Sequence, residues 1–270
     1  MLLKKKNAVI YGAGGSLGSA VAHALAKAGA HVFLTGYKLA PVQKLADEII
    51  ASGGTAEAVE VDARNEKSVN DHLNQLVSNN IQVDISFNGV GLQDVQGIPL
   101  IDMSLDDFLR PVNIAMQTQF ITATAVGRIM KKQGSKGAIL SLTATPGGIG
   151  FPYIGGFGPA CRAIEGFVTS LAVELGPDRI RVVNIRSAGS PDSRVFKEAV
   201  LADPVNGDAF IKQWEKNTML KELPMMDDIA NVAVFLASNM AKMITGVTID
   251  VTAGTTAALN HIVFPSVPGQ

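Results

Sequence analysis

The sequence has few charged residues and a single cysteine. Charged side chains occupy 17% of its 270 positions, and the formal net charge is −1. A nearly neutral chain lacks the basic surface that attracts nucleic acid, and no long basic amphipathic helix is present that would bind a membrane surface. One cysteine excludes an internal disulfide and fits the reducing cytoplasm, where we expect the protein to reside.

Long apolar runs and targeting signals are also missing. No run approaches the roughly 20 residues needed to cross a bilayer, and the apolar stretch after three N-terminal lysines is too short for a secretory signal. The histidines are scattered and predict neither a catalytic base nor a metal site: His23, His31, His72 and His261. The expected partner is therefore a small molecule, with no nucleic acid and no membrane.

The chain does contain a regular alternation of apolar strands and amphipathic helices. Helical periodicity is clear where Leu17, Val21 and Leu25 precede Gly29. Strands this apolar, separated by helices, are typical of a parallel sheet covered on both faces. The prediction is one α/β domain over 1–270, a doubly wound Rossmann-type fold with a seven-stranded parallel sheet and helices on both faces. The predicted strands are 7–12, 31–36, 56–62, 83–89, 137–143, 180–185 and 246–251.

A glycine-rich turn, "YGAGGSLG" at 11–18, lies between the first strand and the first helix. Glycines there let the backbone approach a pyrophosphate, and the helix N-terminus adds free amides and a positive dipole. A turn that merely packs tightly would have a similar composition. Its position at the opening of a βαβ unit favours dinucleotide binding.

Several segments, in order, resemble the short-chain dehydrogenase/reductase family over nearly the whole chain. Tyr11 to Gly18 stands where that family has Thr-Gly-x-x-x-Gly-x-Gly, and Asp62 matches an aspartate used near the adenine. The segment 87–91 resembles Asn-Asn-Ala-Gly, and 235–255 resembles the closing segment. The resemblance implies NAD(P) binding by Gly12, Gly14, Gly15, Ser16, Leu17, Gly18, Tyr37, Lys38, Asp62, Ala63, Asn88 and Gly89.

The segment after the second strand favours NADP over NAD. An acidic residue there normally binds the ribose diol and excludes a 2′-phosphate, but this chain has Gly36, Tyr37 and Lys38. Lys38 is placed to meet a 2′-phosphate and Tyr37 to flank the adenine, although an ordinary surface loop would look the same. NADP is the expected cofactor.

The catalytic positions depart from the family pattern. The family uses a tyrosine as acid or base, a lysine four residues later, and a serine that polarises the carbonyl. In this chain Phe157, Cys161 and Ala144 stand at those positions, and only the family's asparagine is retained, as Asn113. Phenylalanine has no proton to give, alanine has no hydroxyl, and cysteine has no fixed positive charge.

A shifted alignment does not restore the missing pair. The only tyrosines are Tyr11, Tyr37 and Tyr153, none of which has a lysine four residues later, and no lysine lies between Lys136 and Lys197. Each residue that could replace a missing catalytic group also has an ordinary structural interpretation. Thr143 and Thr145 are typical strand-end hydroxyls, Tyr153 is typical of a pocket wall, and Cys161 is typical of a small buried hydrophobe rather than a nucleophile.

Two classes of function follow. One is an NAD(P)(H)-binding pseudo-enzyme with a degenerate active site, acting as a sensor or in an assembly. The alternative is an enzyme with substituted groups, either an NADP-dependent oxidoreductase or a non-redox cyclase, isomerase or lyase.

Residues 190–225 are expected to form a substrate lid. The helix 104–130 and the helix that begins at 157 resemble the pair that forms a homodimer or homotetramer interface in this family. Large apolar residues suit a hydrophobic ligand or plain core: Phe151, Tyr153, Phe157, Trp214, Met219, Met225 and Met226.

Overall fold

The computed structural model describes residues 1–202 and 204–257. Its strands are β1 Asn7–Tyr11, β2 His31–Gly36, β3 Thr55–Glu60, β4 Ile85–Asn88, β5 Ala138–Ala144, β6 Arg181–Ser187 and β7 Thr248–Val251. Its α-helices are α1 Ser16–Lys27, α2 Leu39–Ala51, α3 Glu66–Ser78, α4 Leu105–Gln133, α5 Phe157–Leu175, α6 Arg194–Ala202, α7 Pro204–Lys216 and α8 Met226–Ala237.

The seven strands form one parallel sheet in the order β3-β2-β1-β4-β5-β6-β7. The chain runs outward from β1 to β3 and then returns to place β4 on the other side of β1. This reversal opens a crevice at the carboxyl ends of β1 and β4, where open α/β sheets bind their ligands. The predicted doubly wound, seven-stranded single domain is confirmed.

Helices cover both faces of the sheet, as the apolar strands predict. Val9 and Phe33 face one core cluster with residues of α3, α4 and α5, whereas Ile10 and Leu34 face a second cluster with residues of α1, α2 and α8. Burial on both faces explains why these strands are continuous apolar runs rather than alternating ones. The sheet therefore gives a rigid support to the loops at its carboxyl edge.

Helix boundaries follow local signals. Ser104 caps α4, with its hydroxyl oxygen accepting a hydrogen bond from the Asp107 amide at 3.1 Å, and the helix ends before Gly134 at φ 65°. The Ser104 hydroxyl in turn donates to the Asp107 carboxylate at 2.7 Å. The predicted helix from 104 to 130 is therefore present and runs slightly longer. The segment expected to form a lid contains α6 and α7.

Candidate functional site

The glycine-rich turn and the end of β4 meet at the crevice between β1 and β4. The Gly89 amide donates to the Tyr11 carbonyl at 2.9 Å. Gly12 has φ 73°, and a Cβ there would lie 2.8 Å from the Gly89 carbonyl carbon. A Cβ on Gly18 would collide with the carbonyl oxygen of Gly12. Glycine at 12 and 18 is therefore required by close backbone approach.

Beyond this turn, α1 begins with its amides directed toward the carboxyl edge of the sheet. Gly15 is the N-cap residue, so no side chain caps the first amides of the helix. No acidic residue occupies the first turn. The first amides of a helix have no partner within the helix, and the dipole there favours anions. A Cβ on Gly14 would lie 3.3 Å from Pro41 Cβ, a tight contact that would require a shift of a few tenths of an ångström. The turn thus forms an open cradle suited to a pyrophosphate.

Two further predicted residues lie at neighbouring strand ends. Asn88 at the end of β4 donates through Nδ2 to Thr122 Oγ1 at 2.9 Å and accepts from the Val90 amide at 3.1 Å. Asp62, just after β3, accepts from the Arg64 amide at 2.9 Å. Both side chains shape the loops beside the crevice, and Ala63 is buried next to Asp62.

Tyr37 and Lys38 are exposed at the end of β2. Tyr37 is 72% exposed, and Lys38 is the N-cap residue of α2. Glu60, the last residue of β3, accepts a hydrogen bond from the Leu39 amide at 3.2 Å. The end of β2 thus presents the Tyr37 ring and the Lys38 ammonium to solvent, while the Glu60 carboxylate is hydrogen-bonded to the first backbone amide of α2.

The structure brings Ala144 and Cys161 into contact and places Phe157 one helical turn before Cys161, without the expected chemistry. Ala144 ends β5, Phe157 begins α5, and the Cys161 thiol on the next turn interacts with the Ala144 backbone. Burial raises the pKa of Cys161 to about 11, although the hydrogen bond with Ala144 partly opposes this. The thiol is therefore protonated at neutral pH, which argues against Cys161 as a nucleophile. Asn113 lies on an exposed part of α4.

The substitute hydroxyls are already engaged in the protein. Thr143 Oγ1 donates to Glu165 Oε1 at 3.1 Å, and Thr145 Oγ1 donates to the Ser187 carbonyl at 3.3 Å. Both side chains are at most 4% exposed. Their bonding matches the structural interpretation of strand-end hydroxyls.

A charged network that sequence reasoning missed lies beneath this region. Arg186 on β6 donates through Nε and Nη2 to the two carboxylate oxygens of Glu165 at 3.0 and 2.8 Å. Its Nη1 donates to Asp250 on β7 at 2.8 Å, and Nη2 also approaches the Gly147 carbonyl at 3.4 Å. Thr256 donates to the same Asp250 oxygen at 2.6 Å. The three charged groups are far apart in sequence. Arg186 and Asp250 pair on neighbouring strands, but no sequence signal indicates that Glu165 of α5 joins them.

The predicted apolar ligand residues do not form one pocket. Phe151 packs on Trp214 with ring centroids 5.8 Å apart, and Trp214 packs edge-on against Phe196 at 5.8 Å. The space beside this aromatic cluster is nearly filled, at about 10 Å³. A separate, open groove of about 610 Å³ shares Phe151 with this space, and its lining also includes Tyr153 and one charged residue, Arg162. Phe157, Trp214 and the three methionines do not line it: Met219, Met225 and Met226.

Glycines held against backbone at a topological switch point, beside a helix N-terminus, define a dinucleotide-binding α/β protein of the Rossmann type. The family model described as "Enoyl-(Acyl carrier protein) reductase" matches residues 12–256. The chain belongs to this family, within the short-chain dehydrogenase/reductases. The predicted family membership is thereby confirmed.

Curated relatives and solved structures match over almost the whole chain. L-rhamnose 1-dehydrogenase (NAD(P)(+)) of Azotobacter vinelandii is 29% identical, covering 94% of this chain and 98% of the relative. The 7alpha-hydroxysteroid dehydrogenase of Escherichia coli is 28% identical, covering 96% and 97%. A putative NAD(P) dependent gluconate 5-dehydrogenase from Beutenbergia cavernae, crystallised with bound NADP, is 26% identical, with a TM-score of 0.83 and coverage of 95% and 98%.

Within residues 1–202 and 204–257, no three His, Cys, Asp or Glu side chains converge as metal ligands. His261 lies outside the described residues. No helix in the described part of the chain is both long and apolar enough to span a membrane.

Proposed function

We propose that this protein is a cytoplasmic NAD(P)(H)-binding member of its family whose active site has lost the standard chemistry of hydride transfer. The observation that carries the proposal is a contrast between the glycine-rich turn and the catalytic positions of the family. Gly12 and Gly18 keep a cradle that fits a pyrophosphate, whereas Ala144, Phe157 and Cys161 supply neither a proton nor a positive charge.

The geometry of the cradle supports binding by the chain's own backbone. The amides after Gly15 would meet the pyrophosphate, and Asp62 with Ala63 would border the adenine. A bound nicotinamide cofactor supplies a hydride donor or acceptor. The residues at the far end of the crevice would enclose the ring and exclude water, but Phe157 and Cys161 cannot move a proton to or from a substrate oxygen.

We further propose that NADP binds more tightly than NAD. The support comes from Lys38, which is exposed at the end of β2 where a 2′-phosphate would lie. Its ammonium would form charge-assisted hydrogen bonds with the phosphate. Isothermal titration with NADPH and NADH tests this preference.

The titration needs a lysine control. Lys38→Ala should weaken NADPH binding by about tenfold or more and leave NADH binding unchanged, given the value of a hydrogen bond to a charged group. Lys44→Ala, on the exposed face of the same α2 helix, should change neither affinity. Equal effects of Lys38→Ala on both dinucleotides would contradict the preference, and failure of both to bind would contradict the function itself.

A second candidate is an enzyme with substituted catalytic groups, favoured by the groove of about 610 Å³. Its volume lies in the range of small-molecule pockets, and its lining would accept a small apolar ligand. Tyr153, 57% exposed, offers a phenol at this groove. If the protein turns over such a ligand through Tyr153, Tyr153→Phe should abolish the activity. An unchanged rate would remove this assignment.

A further inference from the structure

The region that follows β6 is attached to the glycine-rich turn through a contact between residues 178 positions apart. The Arg194 amide, at the first residue of α6, donates to Ser16 Oγ at 3.2 Å. Ser16 is also the first residue of α1 and stands where the family motif has its middle glycine. The hydroxyl that departs from the motif is therefore the group that positions the start of α6 beside the proposed pyrophosphate cradle.

A second contact fixes the same segment on its other side. The Asp192 carboxylate accepts from the Met226 amide at 3.1 and 3.3 Å, which connects the segment to the start of α8. Two anchors within three residues give the Arg194 backbone a defined place over the turn.

The Arg194 guanidinium has no strong partner among the contacts that the structure gives it. Its Nε lies 3.9 Å from Glu198 Oε1, with side chains 74% and 63% exposed. An exposed pair at this distance contributes little and costs little to break. The guanidinium can therefore turn to a more highly charged anion.

The segment also contains a polar group that is buried and unsatisfied. The Ser190 hydroxyl is 3% exposed and has no hydrogen-bond partner in the described part of the chain. Buried polar groups normally bind a protein group, an ordered water or a ligand. The Ser190 hydroxyl is therefore a polar group of this segment that an ordered water or a bound ligand would satisfy.

From these contacts we infer that Arg194, whose backbone lies at the start of α1, is a ligand-binding residue whose guanidinium turns from Glu198 to the pyrophosphate of the bound dinucleotide. This inference rests on the proposed dinucleotide function. Arginine suits the role because its planar fork donates two parallel hydrogen bonds to phosphate oxygens. The pyrophosphate would then be held between backbone amides of the turn and a side chain of the lid.

The test is a titration of the full-length protein with NADPH, with Arg194→Ala as the main variant. Loss of a charge-assisted hydrogen-bond pair predicts a roughly 10- to 100-fold weaker affinity. Arg194→Lys should restore only part of it. Lys197→Ala, which removes an exposed cation from the same helix, is the matched control and should leave the affinity unchanged. Since Arg194 is mostly exposed, thermal unfolding of the variant should match that of the unaltered protein.

A reciprocal variant makes the test sharper. Glu198→Gln removes a carboxylate that competes only weakly for the guanidinium, so NADPH affinity should rise by no more than about fivefold. The same substitution in the Arg194→Ala background should have a smaller effect. Unchanged NADPH affinity in Arg194→Ala, or equal losses in Arg194→Ala and Lys197→Ala, would overturn the assignment while the dinucleotide function stands. If the unaltered protein binds no NADPH, the proposed function fails and the assignment falls with it.

Discussion

His72 is a buried histidine of α3. It is 4% exposed, and neither ring nitrogen has a hydrogen-bond partner within the described residues. Burial lowers its pKa from 6.5 to about 4. The folded protein therefore holds a neutral imidazole that the unfolded chain would protonate more readily.

This shift predicts a loss of stability in mild acid. Because the folded pKa is lower, the contribution of His72 is intact above pH 6.5 and is lost as the pH falls toward about 4. The full loss is roughly 3 kcal/mol. Denaturant unfolding at pH 7.5 and 4.5 should show a smaller pH-dependent loss in His72→Leu than in the unaltered protein. Identical losses in both would contradict the account.

Single residues also show what the sequence could and could not predict. Gly12 was predictable because a glycine at the first turn of a βαβ unit has a known backbone requirement. The absence of Tyr and Lys at 157 and 161 was visible from the letters alone. The partner of Ser16 was not, since Arg194 lies 178 residues away and local pattern carries no information about it.

Elements at the carboxyl edge of the sheet are joined by the Arg186 network. Arg186 connects β6 to Glu165 on α5 and to Asp250 on β7, with only 14% of its side chain exposed. Removing one member of such a network leaves buried charge uncompensated. The network thereby couples the helix that carries positions 157 and 161 to the last two strands.

Arg186→Met should consequently destabilise the protein by about 3–5 kcal/mol. Lys67→Met, which removes an exposed pair with Asp71 on α3, should change the unfolding free energy by less than about 0.5 kcal/mol. Chemical denaturation of both variants measures the contrast. Similar small effects would show that the Arg186 network adds nothing to stability.

Most strands and helices were predictable at this scale because their periodicity is strong. The apolar strand segments and the Ser104 cap led to the right elements with small boundary shifts. The placement of the aromatic residues was not predictable. Phe151, Phe196 and Trp214 come from separate segments and meet only in the folded chain, and the space beside their rings is nearly filled.

At the scale of the whole molecule, α4 and α5 lie side by side and expose apolar residues. Phe120 on α4 is 59% exposed and lies 6.3 Å from Phe167 on α5, and Val173 near the end of α5 is 74% exposed. Large exposed apolar residues on adjacent helices suit a subunit interface. We expect these helices to form the interface of a homodimer or of a homotetramer built from it.

Phe120→Asp should therefore shift the protein toward the monomer in sedimentation velocity measurements. Ile101→Asp alters a residue that is 93% exposed outside both helices and should leave the assembly unchanged. An unaltered protein that sediments as a monomer would contradict the expectation directly, as would dissociation by both variants.

The central claim is that the fold has kept a dinucleotide site without the side chains that move the proton accompanying hydride transfer. The most direct test is absorbance of the nicotinamide after the protein is mixed with NADP or NADPH and the substrate classes of its relatives, including L-rhamnose, gluconate and a 7α-hydroxysteroid with their oxidised forms. The account predicts dinucleotide binding with no hydride transfer above background, and measurable transfer after the combined changes Ala144→Ser, Phe157→Tyr and Cys161→Lys. Turnover by the unaltered protein at about 1 s⁻¹ or faster, the ordinary range of enzymes, would contradict it.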